Sequence, residues 1–441
     1  MIDRVVEAIR ARADAGDAVW RRVERTSIAF ESGRLKAAAV SEQTGVNLRV
    51  LRGGRVGIAG TTADDIADLL TRALASAELG EALALELPAA SPTPPPTIAT
   101  WSDAVAGAPL DRLTAIGAEL VARLTREGCQ VNVAIEREVA ETRIANTAGS
   151  QTAYASTGVA VSADIARFAG DDVLMVYDYY SGVDLPSPQD LDALVASIDV
   201  RYTPALNVVA PPEGALPVVF TPSGLSAVLL PLEQALSGKA VLQGISPLSA
   251  AVGERRFDQR LSLVDDPLAP GRPNSRPVDD EGTTSRAFSL IADGVPRGFV
   301  YDLETAARAH TASTGHGSRG TFGKPHIGYS NLKLLSREQG AGSKTTALGG
   351  GLLDGIEDGL VVDDLIGVGQ GNVIGGAFSH PVALAFRIQN GAITGRVKDA
   401  AVAGNVYELL KKIGGFGNDG RWLGGRWSPS LRLDGVAVAR R

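Results

Sequence analysis

All four histidines of this 441-residue chain, His310, His316, His326 and His380, fall in its second half, three of them between positions 310 and 326. Imidazole is a common metal ligand and titrates near neutral pH. The intervals cross a Gly-rich stretch and match no HExxH or HxH arrangement, so metal ligation competes with polar contacts to a substrate and with ordinary loop hydrogen bonding. Asp279-Asp280-Glu281 could form a carboxylate pair whose mutual repulsion shifts one acid toward neutrality, the requirement for acid/base work. A run of acids before Gly282 also suits a turn and a strand start, with successive side chains pointing apart. Asp363-Asp364 carries the same ambiguity with less support. Serines in glycine contexts, Gly317-Ser318-Arg319-Gly320 and Gly340-Ala341-Gly342-Ser343, lack the GxSxG spacing of a nucleophile elbow. The glycines of 349–376 are followed by no Gly-Lys-Ser/Thr and so form no P-loop. Arg308, Arg319 and Lys324 are candidates for binding a peptide carboxylate or for solvated surface charge. Cys129, the single cysteine, has no histidine near it in sequence and reads as a small buried apolar residue.

These residues need elements to position them, and the chain is long enough for two cores. With 44% apolar and 21% charged residues it has the composition of a globular protein. A net charge of −7 with scattered arginines gives no footprint for nucleic acid. No apolar run approaches a membrane span, the N-terminal stretch lacks an apolar signal region, and a lone cysteine suits a reducing, cytoplasmic compartment. Periodicity predicts a helix over 2–15, strands with turns at Ser32-Gly33 and Gly53-Gly54, helices over 62–79 and 110–126, and strands over 129–145 and 151–180. Prolines 88, 92, 94, 95 and 96 impose an extended crossing. The expected boundary lies at residues 210–214, giving an N-terminal α/β sandwich over 1–212 and a mostly β domain over 213–441, an α+β protein. The second domain opens with a short strand, Thr221 as a helix cap, Pro222 as first helical residue and an apolar helix over 223–238. Short strands follow, and helical spacing returns only at 402–417.

The strand-helix phrase at 217–239 resembles the start of the C-terminal domain in the TldD/PmbA (TldE) metallopeptidase family. FESGRLKAAAV with its following turns, Asn146-Thr147-Ala148-Gly149, Asp265-Asp266-Pro267, Asp280-Glu281-Gly282, Ser313-Thr314-Gly315, Ser330-Asn331-Leu332 and IQNGAITGRVKDAAVAGN resemble further family blocks in order. In TldD-type subunits the helix carries an HExxxH zinc motif. Aligned on Ala227–Leu230, its two histidines and glutamate fall on Pro231, Leu236 and Leu232, none of which binds zinc, and the family's C-terminal cysteine ligand has no counterpart. The resemblance is therefore to the PmbA/TldE branch. It implies no zinc in this chain, zinc on a TldD-like partner in a heterodimer, and an unfolded or modified precursor peptide as substrate, with His310, His316, Arg319 and Asn331 as candidate cleft residues. A peptide-binding scaffold homodimer, or a subunit of a complex that makes peptide natural products, are the alternatives.

Overall fold

The computed structural model describes residues 1–337 and 347–441, so Gly340-Ala341-Gly342-Ser343 lies outside the described residues. After helix α1 (Ile2–Arg12) come three strands, β1 (Ala15–Glu31), β2 (Arg34–Arg52) and β3 (Arg55–Thr61), then α2 (Ile66–Leu79), the short α3 (Asp103–Ala106) and α4 (Leu110–Leu124). Strands β4 (Cys129–Asn146), β5 (Gln151–Ala169) and β6 (Asp172–Gly182) complete an antiparallel sheet of order β3-β2-β1-β4-β5-β6. Ser32 and Gly33 both have positive φ, 49° and 75°, the turn conformation that lets β1 fold straight back into β2. Helix α2 starts at 66 rather than 62, because the Asp65 carboxylate accepts the Asp68 N–H and fixes the cap there. Helix α1 stops three residues short of expectation, since Ala13 is already extended and Ala15 pairs with Leu51.

The segment SPQDLDALVASIDVRYTPA forms helix α5 (Pro188–Ala205), started by a capping box between Ser187 and Asp190 with proline at the first turn. Leu191, Leu194 and Ile198 of α5 share one core with Val131, Val161 and Ile165 of the first sheet and with Val219, Val361 and Phe386 of the second half. The two halves are thus packed through α5, and β7 (Val208–Val209) already pairs with Arg396–Val397 of the later sheet.

That later half is mostly β. Strand β8 (Gly214–Phe220) lies between 358–365 and 431–440, the latter pairs with 400–405, and 400–405 with 377–389. Pairing of 377–389 back onto 358–365 closes these five strands into a barrel. A six-stranded sheet stands beside it, with 261–265 and 332–336 at its centre. Helix α6 (Ser226–Ala235) begins later than the sequence predicts: Thr221 donates to Asp363 at 2.7 Å and heads a turn that precedes the helix. The helix expected over 402–417 is reduced to four residues, Val406–Leu409, because Ala400–Asn405 pairs on both sides and Ile413–Phe416 pairs with 431–433. Sheet pairing here outweighs helical spacing. Among the described residues no helix is long and apolar enough to cross a membrane.

Candidate functional site

Helix α6 packs Leu225, Val228, Leu229, Leu232, Ala235 and Leu236 into the core of the second half, and both Leu232 and Leu236 are fully buried. Pro231 breaks the backbone hydrogen-bond ladder from within, and its carbonyl accepts the Tyr407 hydroxyl at 3.2 Å. The only carboxylate on the helix, Glu233, is engaged by Arg426 through two bonds of 2.8 and 2.9 Å. Beside Pro231 lies a small cavity of about 100 Å³ closed by Val368–Gln370 and Ala377–His380. His380 is its one imidazole. It stacks on Phe378, and burial pushes its pKa below the usual histidine value. Proline, leucines and one imidazole do not make the three- or four-donor set that zinc requires. Among the described residues no group of three or more His, Cys, Asp or Glu is arranged to hold a metal ion.

The acidic run at 279–281 has three separate tasks. Gly282, at φ +85°, makes the turn that follows. Asp279 accepts the N–H groups of Gly317, Thr283 and Glu281. Asp280 accepts Arg21 at 3.0 Å and the Arg319 N–H at 2.9 Å. Glu281 accepts Arg49 at 2.6 Å on one oxygen and the Leu303 N–H at 2.7 Å on the other. Asp17 on β1 completes the set by receiving both Arg49 and Arg319. Gly317 passes so close to Glu281 that a Cβ would stand 2.5 Å from its carboxylate oxygen, so glycine is required there. This seam joins β1 and β2 to the second half, and with Arg276 3.4 Å from Asp280 its four arginines match its four carboxylates. Burial pushes the Glu281 pKa up, Arg49 opposes, and Asp279 and Asp302 add to the rise, leaving it at about 7. For Asp17 the rise from burial is outweighed by Arg319 and Arg49, and its pKa falls below the ordinary value. A second seam has the same construction: Arg201 of α5 bonds Asp363 at 2.9 Å and lies 3.3 Å from Asp178, which also holds Arg421.

The four candidate cleft residues are dispersed. Arg319 is buried in the first seam, with Nε on Asn47 at 2.6 Å. His316 is buried between Phe288 and Tyr329; its Nδ1 lies 2.9 Å from the Thr314 hydroxyl, and its Nε2 approaches Asp265 to 3.2 Å without hydrogen-bond alignment. Asn331 is buried and donates to the Asp266 carbonyl and the Ser275 hydroxyl. His310 alone faces open space, at the left-handed residue (φ +52°) that ends the helix Leu303–Arg308. Of the other histidines, His326 is exposed on a two-residue strand pair. Cys129 begins β4, half-buried, with Sγ 3.0 Å from the Tyr202 hydroxyl.

The open space beside His310 is a cleft of about 1580 Å³ between the two halves. One wall is the proline-rich crossing from Ala82 to Pro95 and the β4–β5 turn at Gly149–Thr152. The other is Val278, Gly282–Arg286, the helix Leu303–Arg308 and His310–Ser313. Arg308 reaches across one end to Glu81. The lining is rich in alanine and in serine and threonine hydroxyls, holds no Phe, Tyr or Trp, and carries little charge. Thr283 Oγ1 and Ser285 Oγ, buried at its edge, have no hydrogen-bond partner among the described residues. Neither hydroxyl was singled out by sequence, because a Thr-Thr-Ser run is uninformative until the fold turns it toward a cavity. Hydroxyls that donate and accept, without aromatic platforms, suit the amides of an extended peptide better than sugars or bases.

Family models match the chain at 213–440, described as the PmbA/TldA metallopeptidase C-terminal domain, and at 16–77, described as domain 1 of the same metallopeptidases. A protein of Methanothermobacter thermautotrophicus named a metalloprotease is 25% identical over 407 residues, 90% of this chain and 86% of that one. A TldD metalloprotease homologue of Haemophilus influenzae is 27% identical over 250 residues, 53% of this chain and 50% of that protein. The crystal structure of TldE from Thermococcus kodakarensis superposes with a TM-score of 0.87 at 23% identity, covering 99% of both chains, which shows a shared fold. Relatives named for TldD and for TldE both match, so it is the α6 residues that bear on which kind of subunit this is.

Proposed function

The chain belongs to the PmbA/TldD metallopeptidase family, and from that premise we propose that it is a TldE-like subunit that works with a zinc-bearing, TldD-like partner on unfolded or modified precursor peptides in the cytoplasm. The observation that carries this reading is α6. Where the family resemblance expects two histidines and a glutamate, this helix offers Pro231, Leu236 and Leu232, with both leucines committed to the core. A chain that cannot activate water with zinc contributes by binding, and the hydroxyl-lined cleft supplies a surface for main-chain recognition. Arg286 supplies positive charge for a peptide carboxylate, and the His310 imidazole at the rim a further polar contact.

The test is reconstitution. The chain purified alone is expected to hold no stoichiometric zinc and to leave unfolded peptides intact, whereas co-expression with an HExxxH-bearing homologue is expected to give a complex with chelator-sensitive peptidase activity. Tightly held zinc at about one per chain, or chelator-resistant hydrolysis by this chain alone, would reject the proposal.

A further inference from the structure

Four ionisable side chains line the cleft between the halves: Glu86, Arg286, Arg308 and His310. Arg308 is already committed, since its guanidinium holds Glu81 of the first half and Glu304 one helical turn back. Glu86 and Arg286 are exposed, and among the described residues neither side chain has an ion pair or a hydrogen bond. The local chain explains how each comes to be there. Leu85 is buried with Leu51 and Leu303, and Leu87 packs against the same cluster, so in this extended segment the residue between them is turned the other way, off the apolar contact. On the other wall the hairpin turned by Gly282 buries Ser285 and leaves the next residue, Arg286, in the open. One lone anion therefore stands on the proline-rich wall and one lone cation on the wall opposite, and the rest of both walls offers hydroxyls and small apolar groups.

We propose that the cleft reads both ends of a short oligopeptide: Glu86 receives the α-ammonium and Arg286 the α-carboxylate, while wall hydroxyls meet the amides between them. This rests on the reading of the cleft as a peptide site and narrows its ligand from unfolded chains at large to short peptides with both termini free. The charge inventory carries the choice. The interior of a long chain presents neutral amides and variable side chains, and so gives no common partner to two fixed charges of opposite sign. A simple anion or a simple cation would satisfy one of them and be repelled by the other. A zwitterion that holds its own opposite charges a set distance apart complements both at once, and an unblocked oligopeptide is such a ligand. Arginine suits the carboxylate end, because its fork of donors matches two oxygens. Since each extended residue adds about 3.3 Å between the two ends, a site built this way also measures length. Both side chains are exposed, so each terminal contact is modest and the two together set the preference.

Calorimetric titration of the full chain with unlabelled alanine-serine peptides of about two to eight residues tests it, each peptide made with free ends, with an acetylated N-terminus, with an amidated C-terminus and with both blocks. Affinity is expected to peak at one length, and either block at that length to weaken binding by about three- to fivefold. Glu86→Gln is expected to bind the acetylated and free peptides alike while still losing affinity on amidation; Arg286→Gln is expected to show the reverse. Unchanged melting checks that both variants fold. Equal binding of all four forms at every length would overturn the reading of the ends and leave the cleft a peptide site. Discrimination that survives in both variants, or that each variant loses for the wrong terminus, would overturn the assignment of Glu86 and Arg286. Absence of binding by any form would overturn this inference together with the reading of the cleft on which it rests.

Discussion

The two halves meet in two ways that differ in every physical respect. At the seam, Asp17, Arg49, Glu281 and Arg319 are sealed from water and each carboxylate has its own donors. At the cleft, a short distance along the same 278–286 loop, the lining faces open space, and two hydroxyls of its wall, Thr283 and Ser285, are buried without partners among the described residues. The seam therefore holds the halves in position, while the cleft leaves room between them. Paired acids suggest catalysis only when they share a proton and can reach a substrate, and the run at 279–281 has its capacity used by the fold.

The sharpest way to break this contrast is to remove the central cation. Arg49→Met leaves Asp17 and Glu281 as buried charges short of a partner and is expected to cost about 3–5 kcal/mol in urea unfolding. Arg22→Met, which removes an exposed pair with Glu42, is the control and is expected to cost under about 1 kcal/mol. Equal effects would mean that the seam is no more than a surface feature.

A smaller effect comes from pH. Glu281 titrates near 7 in the folded chain, above its ordinary 4.5. Between those values the folded state binds a proton that the unfolded state has lost, so this group's contribution declines as pH rises from about 4.5 to 7, on the order of 3 kcal/mol in all. Asp17 works in the opposite direction: its depressed pKa contributes stability above 3.8 that is lost as pH falls below it. The measurement is the difference between wild type and Glu281→Gln in urea midpoint across pH 4.5 to 8, expected to shift steadily through that window. A pH-independent difference would show that Glu281 stays ionised throughout.

Much of the frame was legible because it rests on local rules. The hairpin turn at Ser32-Gly33, the crossing rich in proline and the short strands after 358 follow from backbone preferences that need no partner. What escaped depended on distant ones. Val402–Asn405 has helical spacing, yet two neighbouring strands claim it. Helix α5 did carry a readable signal in Ser187, Pro188 and Asp190, but its role in bridging the halves appears only once both sheets are in place. Of the four candidate cleft residues, three, His316, Arg319 and Asn331, are buried and their polar groups serve the fold. Only His310 reaches the cleft, and Ser285 shows its value through what it fails to bond.

Ser285 supplies the most discriminating variant, because stability and binding should move apart. The residue is 2% exposed, and its hydroxyl is buried without a hydrogen-bond partner among the described residues. Replacing it by alanine removes no hydrogen bond and relieves a buried polar atom, so Ser285→Ala is expected to leave folding stability unchanged or raise it by up to about 1 kcal/mol. If the 282–286 wall shifts on binding so that an extended peptide reaches this buried hydroxyl, the same variant loses a bond only in the complex, and affinity for a fluorescently labelled unfolded peptide should drop by about five- to tenfold. His310→Ala should also weaken binding with little change in melting, since its side chain is exposed. Asn331→Ala, which strips bonds from the interior, should do the reverse: it should lower stability, with any loss of binding tracking the unfolded fraction. Ser285→Ala that destabilises the chain would mean the hydroxyl is already bonded, for instance to fixed water. Unchanged peptide affinity in both Ser285→Ala and His310→Ala would remove the cleft from the binding surface while leaving the seam intact.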